Sequence, residues 1–339
     1  MRRDSKMSEL ISVIMSVYNE KSEWLRQAIE SILNQTYENF EYIIILDNPN
    51  AKELETILAE YAQKDSRVSY YVNTKNVGLV ESLNKGIKKS SGTLIARMDA
   101  DDIAFKDRFE KELQDLKKED ADFVFASRDY IDENGMIHTG EKATAYNSKQ
   151  IEKITKYGNV AIHSTWFVKR KVYDVLGGYR NISFCEDYEF LIRALQSGFK
   201  IYKSEEKVGY TRIRNNSISM NNALIQFEKS NYLRKQFRLG KCISDINEDE
   251  INKIDYEWGE NEKKAYIAAK NEMVEFCYKL YQHKYVDCVK DTLKNWIKSK
   301  WYRIIFLNNI QCRCVMLYVG LREGIKRLRR DSTNSRSNT

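Results

Sequence analysis

The chain has 339 residues, 42% of them hydrophobic and 12% aromatic, which is enough for one large or two ordinary cores and argues against wholesale disorder. Its formal charge of +7, with 31% charged residues, is mildly basic: it suits an anionic substrate or membrane surface and does not demand nucleic acid. The six cysteines (185, 242, 277, 288, 312 and 314) show no CxxC spacing, so they read as reduced thiols rather than a zinc site.

Met1 to Lys6 is charged, with no apolar signal core behind it, and no uncharged run reaches the roughly 20 residues of a membrane-spanning helix. The expected location is cytoplasmic, either free or peripheral on the inner face of the membrane.

In chain order, Ile11 to Tyr18 reads as a buried strand, followed by helical periodicity through Trp24, Ile29, Ile32 and Leu33. Tyr42 to Leu46, Val68 to Val72, Thr93 to Met98 and Phe123 to Ser127 are further strands. Continuous apolar strands separated by helices predict an α/β fold with a mostly parallel sheet covered on both faces. Ligands bind such sheets at the carboxyl ends of strands. The polar groups there are Tyr18-Asn19-Glu20, Asp47-Asn48 and Asp99-Ala100-Asp101. Val160 to Val168 and Val208 to Ile213 are strand-like, and Glu186 to Gln196 is helical.

Near 218 the character changes to long charged helical stretches. The chain divides into an α/β unit over 1–218, a helical region over 219–330 and a polar, disordered tail over 331–339.

Asp99, Asp101 and Asp102 crowd three carboxylates into four positions. Mg²⁺ and Mn²⁺ prefer carboxylate oxygens, commonly one or two of them plus substrate phosphates. The plainer reading is a solvated turn, with Asp102 capping the helix that starts near Phe105. The place of the run after a buried strand favours the metal.

Six segments, in order, resemble family 2 glycosyltransferases with the GT-A fold. They are Ile11 to Asn19, Ser31 to Tyr37, Asn76-Val77-Gly78-Leu79 with Ser82 to Gly86, Ala96 to Asp102, Gly177-Gly178-Tyr179, and Glu186-Asp187-Tyr188. The resemblance spans about residues 10–215. It implies a nucleotide-sugar site lined by Tyr18, Glu20, Asp47, Asn76, Asn84, Arg97 and Asp99. It also implies a Mn²⁺ or Mg²⁺ ion on Asp101 and a catalytic base at Asp187. Where relatives read Asp-Asp-Gly-Ser after the second strand, this chain reads Asp47-Asn48-Pro49-Asn50.

At the start of a helix, Glu186 or Asp187 could equally serve only the helix dipole. His163, Trp166, Glu186, Arg212 and Arg214 are candidate acceptor or diphosphate contacts. For Trp166 core packing competes with stacking on a sugar, and for Arg214, which replaces a usual His, solvent exposure competes with holding diphosphate.

The expectation is an inverting glycosyltransferase moving a sugar, from a UDP-sugar first among donors, to a glycan or lipid-linked acceptor in capsule, O-antigen or exopolysaccharide synthesis. The alternatives are a sugar nucleotidyltransferase, which would carry a Gly-rich phosphate loop that Ser16-Val17-Tyr18-Asn19 lacks, and a non-catalytic nucleotide-sugar-binding subunit. Trp296 to Arg330 interleaves aromatics with Lys and Arg; it either lies on an anionic membrane surface or packs on the catalytic unit.

Overall fold

The computed structural model describes residues 9–140, 142–214, 222–254, 259–281 and 285–336, with side chains up to 319 except at 274, 277, 278, 280, 281 and 285. Four parallel strands begin the sheet: β1 (Ile11–Val17), β2 (Phe40–Leu46), β3 (Val68–Val72) and β4 (Leu94–Asp99), in the order 3-2-1-4. They are apolar on both faces because both faces are covered. Ile14, Ile43, Ile45 and Ile95 enter one core, and Val13, Met15, Tyr42, Ile44 and Ala96 enter the other.

Helices α1 (Ser22–Leu33) and α2 (Lys52–Lys64) close the second core, while α3 (Leu79–Lys89) lays Val80, Leu83 and Ile87 on the first. Their apolar residues recur at helical spacing, so each helix turns one stripe inward.

The sheet continues past β4 through a mixed half. β5 (Ile103–Ala104) follows directly and pairs antiparallel with the last strand; α4 (Arg108–Lys118), β6 (Phe123–Ile131) and β7 (Ile137–His138) come next. After α5 (Ser148–Thr155) comes β8 (Phe167–Lys169), inserted antiparallel between β4 and β6. Helices α6 (Arg170–Leu176) and α7 (Glu186–Gln196) lead to β9 (Ile201–Arg212), parallel to β6. The architecture is an α/β sheet flanked by helices, as expected.

Val160 to Val168, expected as one strand, is mostly a 3-10 turn over His163–Thr165 with β8 behind it. The cause is local. The Asn159 side chain accepts from the Ala161 N–H at 3.0 Å, and the Thr165 hydroxyl donates to the Ile162 carbonyl at 2.8 Å. Such bonds turn the backbone away from a ladder.

The helical region comprises α8 (Ala223–Arg238), α9 (Glu248–Asn252), α10 (Glu260–Tyr281), α11 (Tyr285–Lys298) and α12 (Lys300–Arg336). Leu224, Tyr266, Ala269, Met273, Trp301, Tyr302 and Ile305 form its own core. Further along α12, Cys312, Val315, Met316 and Val319 pack on the core of the α/β unit. One face of the basic aromatic stretch therefore packs inward. Helix α12 also carries the backbone through 331–336, the first part of the segment expected as a disordered tail. Residues 337–339, the boundary near 218 and the loop at 215–219 lie outside the described residues.

Two motif residues serve the architecture. An added Cβ at Gly86 would stand 2.6 Å from Cγ2 of buried Ile14, so only glycine lets α3 approach β1 this closely. Asn84, expected at the nucleotide, is instead a bracket: its amide donates to the Tyr179 carbonyl at 2.8 Å and its Oδ1 accepts from the Tyr179 N–H at 2.9 Å. Both ends of its amide are spent within the chain.

Replacing Gly86 with Val should lower stability by about 2 kcal/mol or more through overpacking, measured by urea unfolding. Asn84→Ala should cost about 1–3 kcal/mol because it strands the Tyr179 backbone groups. The folded variant should keep its nucleotide affinity; a variant of native stability with lost affinity would restore the nucleotide role.

Candidate functional site

Parallel pairing places Ser16 of β1 opposite Asp99 of β4, so both strands end at one edge of the sheet. The acidic run turns there. Asp102 is buried and accepts from the Arg212 N–H and the Thr211 hydroxyl, both at 3.0 Å. It therefore anchors the end of β9 and does not cap α4, whose N-cap position is Asp107.

Arg212 is likewise spent on structure. It donates to the Asp101 carbonyl at 2.9 Å, the Asp132 carbonyl at 3.2 Å and Gln27 Oε1 at 2.7 Å, and its guanidinium lies 5.0 Å from the Trp24 ring centre. Arg214, two residues on, pairs with Asp101 through Nε and Oδ2 at 2.7 Å. Arg97 is buried on β4 and ion-paired with Asp99.

The opposite wall comes from the first turn of α7. Asp187 Oδ2 accepts from the Asn159 amide at 2.9 Å, and its Oδ1 accepts from the Tyr188 N–H at 2.6 Å. Glu186 sits beside it, 4.0 Å from His163 Nδ1. His163 Nε2 shares a hydrogen bond of 2.8 Å with the Tyr179 hydroxyl. Burial, and then the Arg97 charge, hold His163 well below the usual imidazole range, which favours its neutral form.

A cavity of about 620 Å³ joins these walls, lined by Arg97, Asp99, Asp101, His163, Glu186, Asp187, Arg212 and Arg214 among others. Of the expected site residues, Tyr18, Glu20, Asp47, Asn76, Asn84 and Trp166 are not among its lining. Tyr18 and Glu20 stand at the end of β1, where the Tyr18 N–H donates to Glu20 Oε2 at 2.8 Å. Burial raises the Glu20 carboxyl, and the charges of Arg214 and Asp99 act on it from opposite directions.

Asp47 is buried under the loop before α3. It accepts from Asn73 Nδ2 at 2.7 Å, the Val77 N–H at 2.9 Å and the Gly78 N–H at 2.8 Å, leaving about one of its four acceptor sites open. Asn76 accepts from the same Gly78 N–H at 3.0 Å. The Asn76-Val77-Gly78 motif is thus a clamp on Asp47, and Gly78 meets its φ of 89° without strain.

Trp166 is a correction. It is 0% exposed and packs among Phe123, His163, Tyr179 and Phe190, so it cannot touch an acceptor. Among the lining residues that escaped the sequence reading, Asn159 and Arg128 stand out. Asn159 orients Asp187 but belongs to no motif. Arg128 lies in the second half of β6, just beyond Ser127 where the apolar run stops; its buried Nε has no hydrogen-bond partner among the described residues.

The electrostatics favour a cation. Burial, then the charges of Asp102 and Asp99, push the Asp101 carboxyl well above the usual carboxylate range, and Arg214 relieves this only in part. Burial and Asp187 raise Glu186 likewise, and burial raises Asp187. Among the described residues no three His, Cys, Asp or Glu side chains converge into a complete metal cage. The donor set fits an ion that takes one or two carboxylates here and its other ligands from phosphate and water.

The Glycosyl transferase family 2 model matches residues 12–177. An uncharacterized glycosyltransferase of Methanocaldococcus jannaschii is 39% identical over 207 residues, 61% of this chain and 71% of its own length. The O-antigen biosynthesis glycosyltransferase WbnJ of Escherichia coli is 32% identical over 245 residues, 71% of this chain and 94% of that protein. The crystal structure of S. aureus TarS 1–349 superposes with a TM-score of 0.53 at 16% identity, over 72% of this chain and 68% of that one. The same protein in complex with UDP-GlcNAc also gives 0.53, at 14% identity, over 77% and 70% of the two chains. The fold is thereby the GT-A type, and with relatives this similar over most of their length the chain belongs to glycosyl transferase family 2 and is a glycosyltransferase.

Proposed function

We propose that the enzyme transfers a sugar from a nucleoside-diphosphate sugar, UDP-linked first among candidates, to a hydroxyl of a glycan or lipid-linked saccharide, with inversion, in surface-polysaccharide assembly. The observation that carries this reading is one cavity flanked by Asp99 and Asp101 on one wall and Asp187 on the other. Neighbouring proteins of the fold include one solved with UDP and with UDP-GlcNAc. Relatives at 32% and 28% identity are named for O-antigen and amylovoran biosynthesis.

In this reading Tyr18, Glu20 and Asp47 hold the nucleoside end, and Arg97 with Asp99 orients the ribose or sugar. Arg128 and Arg214 face the diphosphate. A Mn²⁺ or Mg²⁺ ion held by Asp101 would neutralise charge growing on the leaving diphosphate. Asp187 takes the proton of the acceptor hydroxyl as that oxygen attacks the anomeric carbon. Its carboxyl is raised by burial, and a more basic carboxylate is the better proton acceptor at neutral pH. Asn159 fixes the carboxylate's direction through its 2.9 Å hydrogen bond. A single base on the face opposite the leaving group gives one displacement and hence inversion.

Asp187→Asn should reduce transfer by about 10²–10⁴-fold while leaving nucleotide binding intact, read by turnover and calorimetry on the same preparation. Full activity in that variant would refute the assignment. Thermal shift against UDP-, GDP- and dTDP-sugars should show one nucleotide stabilising the protein, with the shift reduced by EDTA and restored by Mn²⁺. An EDTA-insensitive shift and turnover would remove the metal from the scheme. NMR of the product should show the inverted anomer, and retention would overturn the single displacement.

A further inference from the structure

Helix α11 is docked by one side only. Cys288 is buried, and Asp291 pairs at 2.6 Å with Lys279 of α10. On the other side Val286, Val289, Leu293 and Ile297 are 60–78% exposed. Their spacing of three, four and four residues puts them in one row along the helix. Lys290, Lys294 and Lys298, each following one of these apolar residues by one position, are exposed along one flank of that row, which also carries the exposed Asp287 after Val286 and stays net basic.

The next helix repeats the apolar part of the pattern, without the lysines: Leu307, Ile310, Leu317 and Tyr318 are exposed on α12, although its Trp301, Tyr302, Ile305 and Val319 are buried. Scattered exposed apolar residues are ordinary, whereas a continuous row marks a contact surface. No helix among the described residues is long and apolar enough to cross a membrane.

We infer that the exposed face of α11, continued by the exposed row of α12, seats the enzyme on an anionic lipid surface. The row is apolar at its centre and lysine-lined at its flank, the arrangement in which a helix lies in the plane of a bilayer with its apolar side in the acyl boundary and its ammonium groups among the lipid phosphates. Lysine along one flank complements acidic headgroups and would oppose a second copy of the same basic face. The segment expected from sequence to meet the membrane began at Trp296. The contact starts earlier in the same helix, at Val286 in the first turn of α11, and uses the side of α12 that does not pack. This surface lies outside the catalytic cavity and does not depend on the chemistry proposed there.

The test is co-sedimentation of the full chain with vesicles of phosphatidylcholine alone or mixed with phosphatidylglycerol. The wild-type protein should pellet with the mixed vesicles, stay largely in solution with the neutral ones, and be released by high salt. Leu293→Glu with Ile297→Glu should lower the bound fraction by about tenfold. Lys290→Glu with Lys294→Glu should abolish the preference for the anionic vesicles. Both pairs alter exposed positions, so unfolding temperature and cavity chemistry should stay unchanged, and these are measured alongside.

Wild-type protein remaining in solution with anionic vesicles overturns the inference, as does pelleting that the Leu293/Ile297 pair leaves unaltered. A dimer in light scattering that the same pair dissociates, without vesicle binding, would assign the row to a second copy instead.

Discussion

The site rests on burying like charges together. Asp99, Asp101 and Asp102 leave β4 in one turn, and Glu186 and Asp187 approach from α7. In a low-dielectric cavity such a group repels itself strongly unless cations or protons relieve it. The chain supplies arginines from three strands: Arg97 within β4, Arg128 within β6, and Arg212 with Arg214 at and just beyond the end of β9. Much of the mixed half of the sheet can be understood as the scaffold that delivers them. β9 runs beside β6 and ends against Asp102, bringing Arg212 under the turn and Arg214 onto Asp101. Arg97 and Arg128 each keep a buried Nε without a hydrogen-bond partner among the described residues, which is the unspent donor capacity an anionic ligand needs.

The parallel half of the fold was legible because its physics is written in consecutive residues. A strand covered on both faces is apolar at most positions, so β1 to β4 stand out as runs. The mixed half was not. β5, β7 and β8 are two or three residues long, too short for any period to show. Their pairing is fixed by partners far along the chain, as when Ile95 meets Val168. The α/β class could be read from the sequence, whereas the strand order 4-8-6-9-5 depends on contacts that no local pattern encodes.

The site divides in the same way. Asp99 and Asp101 could be picked out from their place after a buried strand, and Asp187 from the resemblance; all three line the cavity. Asn84 belongs to a motif too, yet what holds it there is packing: a Cβ at Gly178 would stand 2.6 Å from its Oδ1, and both its amide atoms are taken by Tyr179. Motif membership does not distinguish a residue that meets the ligand from one that shapes the wall. Trp166 fails for a related reason, since an aromatic residue in an apolar stretch looks the same in sequence whether its ring faces a cavity or a core. Arg128 and Asn159 have no motif at all. They are defined only by the distances the fold creates.

β9 holds a further consequence. Between the Phe125–Lys203 and Asp129–Tyr210 pairs it advances seven residues while β6 advances four. These bulges set which way the last residues of the strand point, and they turn Lys207 toward Asp129 and Arg212 toward the acidic turn. Because side chains alternate along a strand, a one-residue insertion or deletion between Tyr210 and Arg212 would leave the core strands intact and yet send the arginine to the other face. Length changes among natural variants of this chain should therefore be barred from these few residues, even while the surface loops drift freely. The reading frame of one strand end is as much a part of the site as any carboxylate.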